Sequence, residues 1–488
     1  MQSTRTPSTQ TWLLQKLRDM GYNPDPEGVC FGVAYTAMSS FLLGGMQDYT
    51  QRLHNIKNSN LKKPMLPQQD ITDIRAYFDA IEMFHHTGLH RNLYESRKSP
   101  RFQDPEKAME IVMPAQLREE GGVNKAGTLA DVYDEDNLSA YLTALKNRMK
   151  QNECSFPVSL VFESINHAIC VGYDPKADTW TLIDANNLPP KVIPDDKAAE
   201  HIISSFLCGN KAILSCDVFV HNRNAEAMSA CLQDIRHDIR ETSAIDQKKV
   251  KTRDKFQSSL IAVAARKGMV DLLEDAIRAE PGCVNYQDDM GSTPLYKATQ
   301  DRYYDVAETL LKNNADPNLP NRLGGVPLFM AVMEGDLKMV ELLLQYEAKP
   351  HLANIDNESP IYLAADTRQW RILITMLLNM KNASQISSKD MNIINQNRHL
   401  LAEEFCRIME RVPDQGNRNK MVESVLASEN AFGAIMNKGQ SIFNTFFSKN
   451  RYHDKKVTES IKIIGDWYDK YKDVPVILPH QVEKIANK

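Results

Sequence analysis

The chain has 488 residues, of which 42% are hydrophobic and 25% charged, a composition typical of globular domains. Its formal net charge of −5 gives no overall attraction to nucleic acid or anionic membrane, so no direct nucleic-acid binding is expected. No apolar run reaches the roughly 18 to 20 residues of a membrane-spanning helix, and residues 1–12 lack the apolar stretch of a secretory signal. We therefore expect a soluble intracellular protein without a membrane span, built from about three domains.

The cysteines are widely scattered and never form a Cys-x-x-Cys pair. They stand at positions 30, 154, 170, 208, 216, 231, 283 and 406. This spacing indicates reduced thiols rather than a disulfide framework or a zinc site. His167 and Cys170 are three residues apart, but no second ligand pair follows them. No metal and no cofactor is therefore expected.

Cys30 stands where a turn gives way to an apolar helix. The segment Glu27–Ala34 reads EGVCFGVA, and the apolar positions after it predict a helix from Cys30 to Leu43. A thiol in the first turn of a helix meets the positive end of the macrodipole and unpaired backbone N–H groups, which favour the thiolate. This position is typical of a cysteine nucleophile.

The region after this helix, to about residue 150, is expected to be mostly helical or looped. Apolar, β-branched runs then predict four strands, at residues 157–162, 167–172, 179–183 and 212–220. Short turn-forming connections such as residues 174–178 indicate antiparallel pairing. His167 opens the second of these strands and Asp184 closes the third.

Cys30, His167 and Asp184 together suggest a catalytic triad. A hairpin between the strands of His167 and Asp184 would bring these two side chains together. Cys30 would then be the nucleophile, His167 the general base and later the acid, and Asp184 the group that orients the imidazole. Taken singly, each residue has a structural alternative: a core cysteine, a strand-end histidine bonded to a carbonyl, and a turn-forming aspartate.

A short basic stretch lies at the junction between an expected linker at residues 226–252 and the next domain. It comprises Lys248, Lys249, Lys251 and Arg253. The stretch resembles a nuclear import signal, and the alternative is a solvated helix face.

A repeat occupies the middle of the chain. Prolines at 294, 327 and 360 are separated by 33 residues each, since 327 − 294 and 360 − 327 are both 33, and this is the ankyrin period. Alanine follows each proline by four residues, where two helices must approach closely. We predict four ankyrin repeats over residues 253–383, an all-α solenoid that binds a protein partner; the alternative is a passive spacer.

The last segment, residues 384–488, contains amphipathic stretches with apolar residues at helical spacing, for example residues 400–409 and 457–468. This pattern predicts a C-terminal helical domain. No chemical motif is present there.

The N-terminal segment resembles the papain-like cysteine peptidases of bacterial effectors and toxins, a group that includes the YopT-like peptidases. The matching motifs are Gly28-Val-Cys-Phe-Gly32, His167-Ala-Ile-Cys-Val171 and Asp184-Ala-Asn186. The resemblance implies an α+β papain-like cysteine peptidase domain over residues 1–225, with Cys30, His167 and Asp184 as its triad. A papain-like domain followed by ankyrin repeats further resembles translocated ankyrin effectors of intracellular bacteria.

The segment before Cys30 departs from this family. Papain relatives commonly hold an oxyanion-hole glutamine a few residues before the cysteine, and no glutamine stands within residues 21–27. Asn23 is the candidate donor in its place, together with the Cys30 backbone N–H. One oxyanion donor is worth about 2.7 to 4 kcal/mol of barrier, so its identity matters for turnover.

These features lead to a functional hypothesis with two alternatives. The hypothesis is an effector-type cysteine protease, translocated into host cytoplasm or nucleus, that cleaves a host protein recruited by the ankyrin repeats. One alternative keeps the triad and the thioacyl intermediate but gives a deamidase, transglutaminase or acyltransferase. The other is a non-catalytic ankyrin adaptor that occupies a host protein complex.

Overall fold

A computed structural model of the chain describes residues 9–24, 28–59, 68–86, 93, 104–206, 211–242, 245–254, 256–436 and 463–470. The described residues form two compact units, one within residues 1–289 and the other within residues 290–488. No helix in these ranges is both long and apolar enough to cross a membrane.

The first unit combines helices with one β-sheet. Its helices are α1 (Thr9–Asp19), α2 (Cys30–Leu42), α3 (Met46–Asn58), α4 (Gln68–His85), α5 (Pro105–Val112), α6 (Ala115–Glu119), α7 (Glu135–Gln151), α8 (Ala198–Ser205), α9 (Ala225–Thr242), α10 (Gln247–Lys251), α11 (Leu260–Lys267) and α12 (Val270–Ala279). Its strands are β1 (Val123–Tyr133), β2 (Val158–Glu163), β3 (Ala168–Asp174), β4 (Thr179–Asp184), β5 (Lys191–Ile193) and β6 (Ala212–His221). The expected α+β architecture of the N-terminal segment is therefore observed.

The six strands pair antiparallel in the order β1-β6-β2-β3-β4-β5. The central strands β2 and β6 are buried along their whole length, because helices cover both faces of the sheet. Side chains on one face of the sheet, such as Val161 and Cys170, belong to the hydrophobic core that includes helices α1, α2, α3 and α4. Their neighbours Leu160 and Val171 join the core of α7 to α9. This alternation follows the two-residue period of a strand.

Two elements differ from the expectation. Strand β1 lies in the region expected to be helical or looped, because its VNKAGTLADVY sequence is only half-buried over most of its length and carries little apolar signal. Helix α9 lies in the expected linker at residues 226–252. Its apolar residues Met228, Cys231, Leu232 and Ile235 follow helical spacing and are fully buried against the sheet.

The predicted repeats appear as successive pairs of short helices. After α11 and α12 come α13 (Pro294–Gln300), α14 (Tyr304–Lys312), α15 (Pro327–Met333), α16 (Leu337–Gln345), α17 (Pro360–Asp366) and α18 (Trp370–Asn379). Each of the three prolines occupies the first turn of its helix, where its missing N–H costs nothing. Thr293 and Ser359 cap two of these helices through their hydroxyl oxygens.

The first helix pair belongs to the first unit. Leu260 and Val263 of α11 pack against Val132 of β1 and Ile213 of β6. They lie on the face of the sheet that α2 also covers. The described residues after the repeats are helical, with α19 (Ser388–Gln396), α20 (Arg398–Met409), α21 (Gln415–Leu426) and helical residues at 431–436 and 463–470. Helices α19 and α20 pack on α17 and α18.

Candidate functional site

Cys30 is the first residue of α2. The residue before it, Val29, offers no side-chain cap to the helix, so the backbone N–H groups of the first turn and the helix dipole act on the thiol region. The helix is held between the sheet and α4 by two glycines. A Cβ at Gly32 would collide with the Ile81 carbonyl oxygen, and a Cβ at Gly172 with the Phe41 ring. Close packing therefore fixes where Cys30 stands.

His167 is held by a tight turn between β2 and β3. The Ser164 N–H donates to the His167 carbonyl over 2.9 Å, and the His167 N–H donates to Ser164 Oγ over 3.2 Å. The ring of Phe206 packs edge-on against the imidazole, with 5.5 Å between ring centroids. The turn fixes the backbone position of His167, and Phe206 restricts the orientation of its imidazole ring.

Asp184 closes β4 beside the histidine, because Ile169 and Asp184 are direct partners in the antiparallel pair. Its Oδ1 lies 3.0 Å from His167 Nε2. The carboxylate also accepts the Asn186 N–H and the Asn187 side-chain amide, each over 2.9 Å. Only 1% of the Asp184 side chain is exposed. A buried carboxylate with these partners orients the imidazole.

The Cys30 thiol meets the same histidine. Cys30 is close enough to His167 to raise the pKa of the imidazole, and Cys30 Sγ lies 4.0 Å from the Asn166 carbonyl oxygen. Because Nε2 of His167 faces Asp184, the other ring nitrogen is the one that can exchange a proton with the thiol. The structure therefore brings together all three residues that the sequence singled out.

The pKa values favour a charged pair. Burial disfavours the imidazolium, but hydrogen bonds from His167 to Asp184 and Cys30, and the charges of both groups, raise its pKa to about 10. Burial alone would raise the pKa of Asp184, yet His167, the Asn186 N–H and Asn187 hold it below its ordinary value. Near neutral pH the histidine is therefore protonated and the aspartate ionised.

Other thiols differ from Cys30 in their surroundings. Burial raises the pKa of several of them: Cys154 to about 11, Cys170, Cys283 and Cys406 to about 12, and Cys216 further still. No histidine is among the groups that shift the pKa of these five thiols. These thiols are internal references for measurements on Cys30.

The structure places Gln10, rather than Asn23, beside the nucleophile segment. Asn23 is exposed in the loop after α1. Gln10 of α1 is buried, and its side-chain amide fills the space next to Gly28, where a Cβ would collide with it. Gly28 also has φ = +135°, which favours glycine. Gln10 was not predicted from the sequence because it lies 20 residues before Cys30, not in the stretch directly before the cysteine.

The basic stretch is largely engaged within the first unit. Lys249 Nζ lies 2.8 Å from Asp131 Oδ2, and Lys251 Nζ lies 2.9 Å from Glu280 Oε2. The Arg253 guanidinium stacks 3.8 Å from the centroid of the Tyr286 ring. An import signal must be accessible to its receptor, so these contacts do not favour that interpretation. Lys248 lies on the same short helix, α10.

Within the described ranges, no group of three or more His, Cys, Asp or Glu side chains is arranged to hold a metal ion.

Comparison with known proteins supports the repeats. Family models for ankyrin repeats match residues 220–321 (a three-copy model) and residues 300–344 (a many-copy model). A stretch of 64 residues is 42% identical to a transient receptor potential cation channel subfamily A member 1 homolog of Caenorhabditis elegans. It covers 13% of this chain and 5% of that protein. The chain thus contains ankyrin repeats, which supports a role in protein–protein interaction.

Proposed function

We propose that this chain binds a protein through its ankyrin repeats and that its N-terminal domain is a papain-like thiol hydrolase, a cysteine peptidase acting on the bound protein. The family matches support the binding half. The observation that carries the catalytic half is the placement of His167 between Cys30 and Asp184, with a pKa raised to about 10.

The proposed chemistry begins with the Cys30 thiolate and the His167 imidazolium. The sulfur attacks the carbonyl carbon of the scissile amide, a C–S bond forms and the carbonyl oxygen becomes an oxyanion. His167 gives its proton to the leaving nitrogen, the C–N bond breaks, and a thioester remains. A water molecule then gives a proton to His167 and attacks the thioester, which releases the acid and restores the thiolate.

The Cys30 N–H and the Gln10 amide are the proposed donors to the oxyanion. Support comes from the position of Cys30 at the start of α2 and from the Gln10 side chain packed beside Gly28. A single such donor is worth roughly a hundredfold to a thousandfold in rate. Gln10→Ala should therefore slow turnover by about that factor, whereas Asn23→Ala, at an exposed position, should leave it within about twofold.

A peptidyl fluoromethyl ketone tests the catalytic half, because a peptidase thiolate forms a C–S bond to its fluoromethyl carbon, the C–F bond breaks and fluoride leaves, so that a stable thioether marks the cysteine. Mass spectrometry of the full chain should find the probe on Cys30, and His167→Ala should abolish labelling at neutral pH. Labelling that spreads evenly over the cysteines, or that persists in His167→Ala, would contradict the proposal.

The adaptor function is the second candidate, and the family matches favour it, because they cover the repeats and give no sign of catalysis. Cys30→Ala separates the two: an adaptor keeps its effect on the partner and an enzyme loses it. A deamidase, transglutaminase or acyltransferase would share the thioester and differ only in the attacking group or the bond.

The proposed partner is a host protein, and the proposed setting is a translocated effector. This part is supported by the resemblance of the domain order to ankyrin effectors. Tethering through the repeats raises the local concentration of the substrate to about the millimolar range, so specificity would come from the repeats more than from the cleft.

A further inference from the structure

The last turn of α11, in the first repeat, contacts the turn that carries His167. Arg266 Nη1 donates a hydrogen bond to the Ile165 carbonyl over 3.3 Å. Ile165 lies between β2 and His167, next to Asn166, whose carbonyl oxygen faces the Cys30 thiol. One short turn is thus contacted by the repeat and by the nucleophile.

Lys267, the next residue, is buried in the same region. Its Nζ lies 2.7 Å from Glu163 Oε2 and 2.9 Å from Asp217 Oδ2. The exposed fractions of these side chains are 13%, 3% and 1%, so the three charges have lost most of their hydration. Burial opposes the charge of Lys267, but Asp217 and Glu163 keep its pKa above the ordinary value. Buried charges held by one another tolerate little displacement.

The two carboxylates also join this cluster to the nucleophile helix. Tyr35 Oη donates to Glu163 Oε1 over 2.7 Å and lies 3.2 Å from Asp217 Oδ2. Tyr35 is fully buried in α2, five residues after Cys30. Glu163 is the last residue of β2. The cluster therefore connects α11, the sheet and α2 at the base of the His167 turn.

A displacement at the start of the turn also displaces His167. Hydrogen bonds between Ser164 and His167, of 2.9 and 3.2 Å, close it at both ends, so a shift at Glu163 or Ile165 moves the histidine backbone. A misplacement of about 1 Å can cost about a hundredfold in rate. Contacts to Glu163, before the turn, and to Ile165, within it, therefore affect the distance between Cys30 and His167.

We propose that Arg266 and Lys267 are positioning residues, and that the first ankyrin repeat holds the His167 turn in register with Cys30. The inference rests on the proposed thiol hydrolase function and adds that the first repeat is part of the catalytic unit. A repeat in this role acts on the thiol through His167 and touches neither substrate nor sulfur.

The test is the pH profile of Cys30 alkylation by iodoacetamide in the full chain, resolved from the other thiols by mass spectrometry. The variants are Arg266→Ala, which removes one donor at a partly exposed position, and Arg266→Lys, which can still donate. A triple variant, Lys267→Met with Glu163→Gln and Asp217→Asn, removes the buried charges without leaving one unpaired. Arg278→Ala is the matched control, because Arg278 is an exposed cation of the same repeat that pairs with Asp275.

We expect Arg266→Ala and the triple variant to slow Cys30 alkylation at neutral pH by about tenfold and to move the profile to higher pH. Arg266→Lys should recover most of the rate, and Arg278→Ala should match the wild type. If Cys30 alkylation in the wild type depends on His167, but Arg266→Ala and the triple variant keep the wild-type pH profile, this inference alone is overturned. A wild-type Cys30 that reacts no faster than Cys406 would overturn the proposed function and this inference together.

Discussion

His167 is the residue on which the candidate site depends. Its Nε2 faces a buried carboxylate at 3.0 Å and its ring also meets the Cys30 thiol. The interactions with Asp184 and Cys30 that raise the pKa of His167 outweigh the desolvation that would otherwise favour the neutral ring. The same partners that would activate a nucleophile also stabilise the fold, because a histidine protonated in the native state and less so in the unfolded state favours folding.

The pH dependence of stability follows from this shift. The pKa of His167 rises from 6.5 to about 10 on folding, so its contribution is fully present below about pH 6.5 and is lost as the pH rises through about 10. We expect the difference in free energy of unfolding between wild type and His167→Gln, measured by urea unfolding, to shrink over that range. As a control, His201→Gln, on the exposed side of α8, should keep the pH dependence of the wild type.

The opposite slope is expected on the acidic side. Since folding lowers the pKa of Asp184, its contribution to the free energy of unfolding is present above its unfolded pKa of about 4 and is lost as the pH falls.

For His167, a difference in the free energy of unfolding between wild type and His167→Gln that stays constant from neutral to alkaline pH would show that His167 is not protonated in the native state.

At the scale of elements, the contact of α2 with β3 positions Cys30. Phe41 lies directly on Gly172, with no room for a side chain there. Overpacking of a core costs about 1 to 3 kcal/mol. Gly172→Ala should therefore lower the free energy of unfolding by about that amount and slow Cys30 alkylation, because the helix must shift.

Two further variants separate overpacking from a general effect of alanine. Phe41→Leu combined with Gly172→Ala should recover much of the stability, since the smaller side chain leaves room. Gly45→Ala serves as the control, because Gly45 has φ = −89° and a Cβ there would meet its nearest neighbour at 3.5 Å. Equal losses in Gly45→Ala and Gly172→Ala would contradict this account of the contact.

Sequence patterns predicted the elements that carry a strong local signal. The start of α2, the strands that end at Asp184 and begin after His167, and the prolines of the repeats all follow from spacing and turn chemistry. Strand β1 was missed because half-buried edge strands alternate polar and small residues. Gln10 was missed because its position beside Gly28 is a tertiary contact that no spacing encodes. The contacts of Arg266 and Lys267 with the His167 turn are of the same kind.

At the scale of the whole molecule, the first repeat is shared between two roles. By its period it begins the ankyrin array, and by its contacts it completes the first unit, which extends to Asp289. Leu260 and Val263 cover Val132 and Ile213 on the sheet, an area that would otherwise be exposed to water. The repeat is therefore needed for the core of the N-terminal domain.

Two truncations test this arrangement. A chain ending at residue 289 should unfold cooperatively and keep the reactivity of Cys30. A chain ending at residue 252 exposes the apolar residues that α11 covers. It also leaves the buried carboxylates of Glu163 and Asp217 without their partner Lys267, and breaking a buried ion pair in this way costs about 3 to 5 kcal/mol. It should be strongly destabilised or aggregate, as circular dichroism and size-exclusion chromatography would show. Equal thermal stability of the two chains would contradict a structural role for the first repeat.

The most direct test of the central claim is the rate of Cys30 alkylation by iodoacetamide as a function of pH, in wild type and in His167→Ala. The buried thiols of Cys170 and Cys406, whose pKa values burial raises to about 12, provide internal references. We predict that Cys30 reacts fast near neutral pH and that the reaction slows markedly without His167. A Cys30 that reacts as slowly as the reference thiols, or that is indifferent to His167, would contradict the claim and leave the ankyrin adaptor as the function.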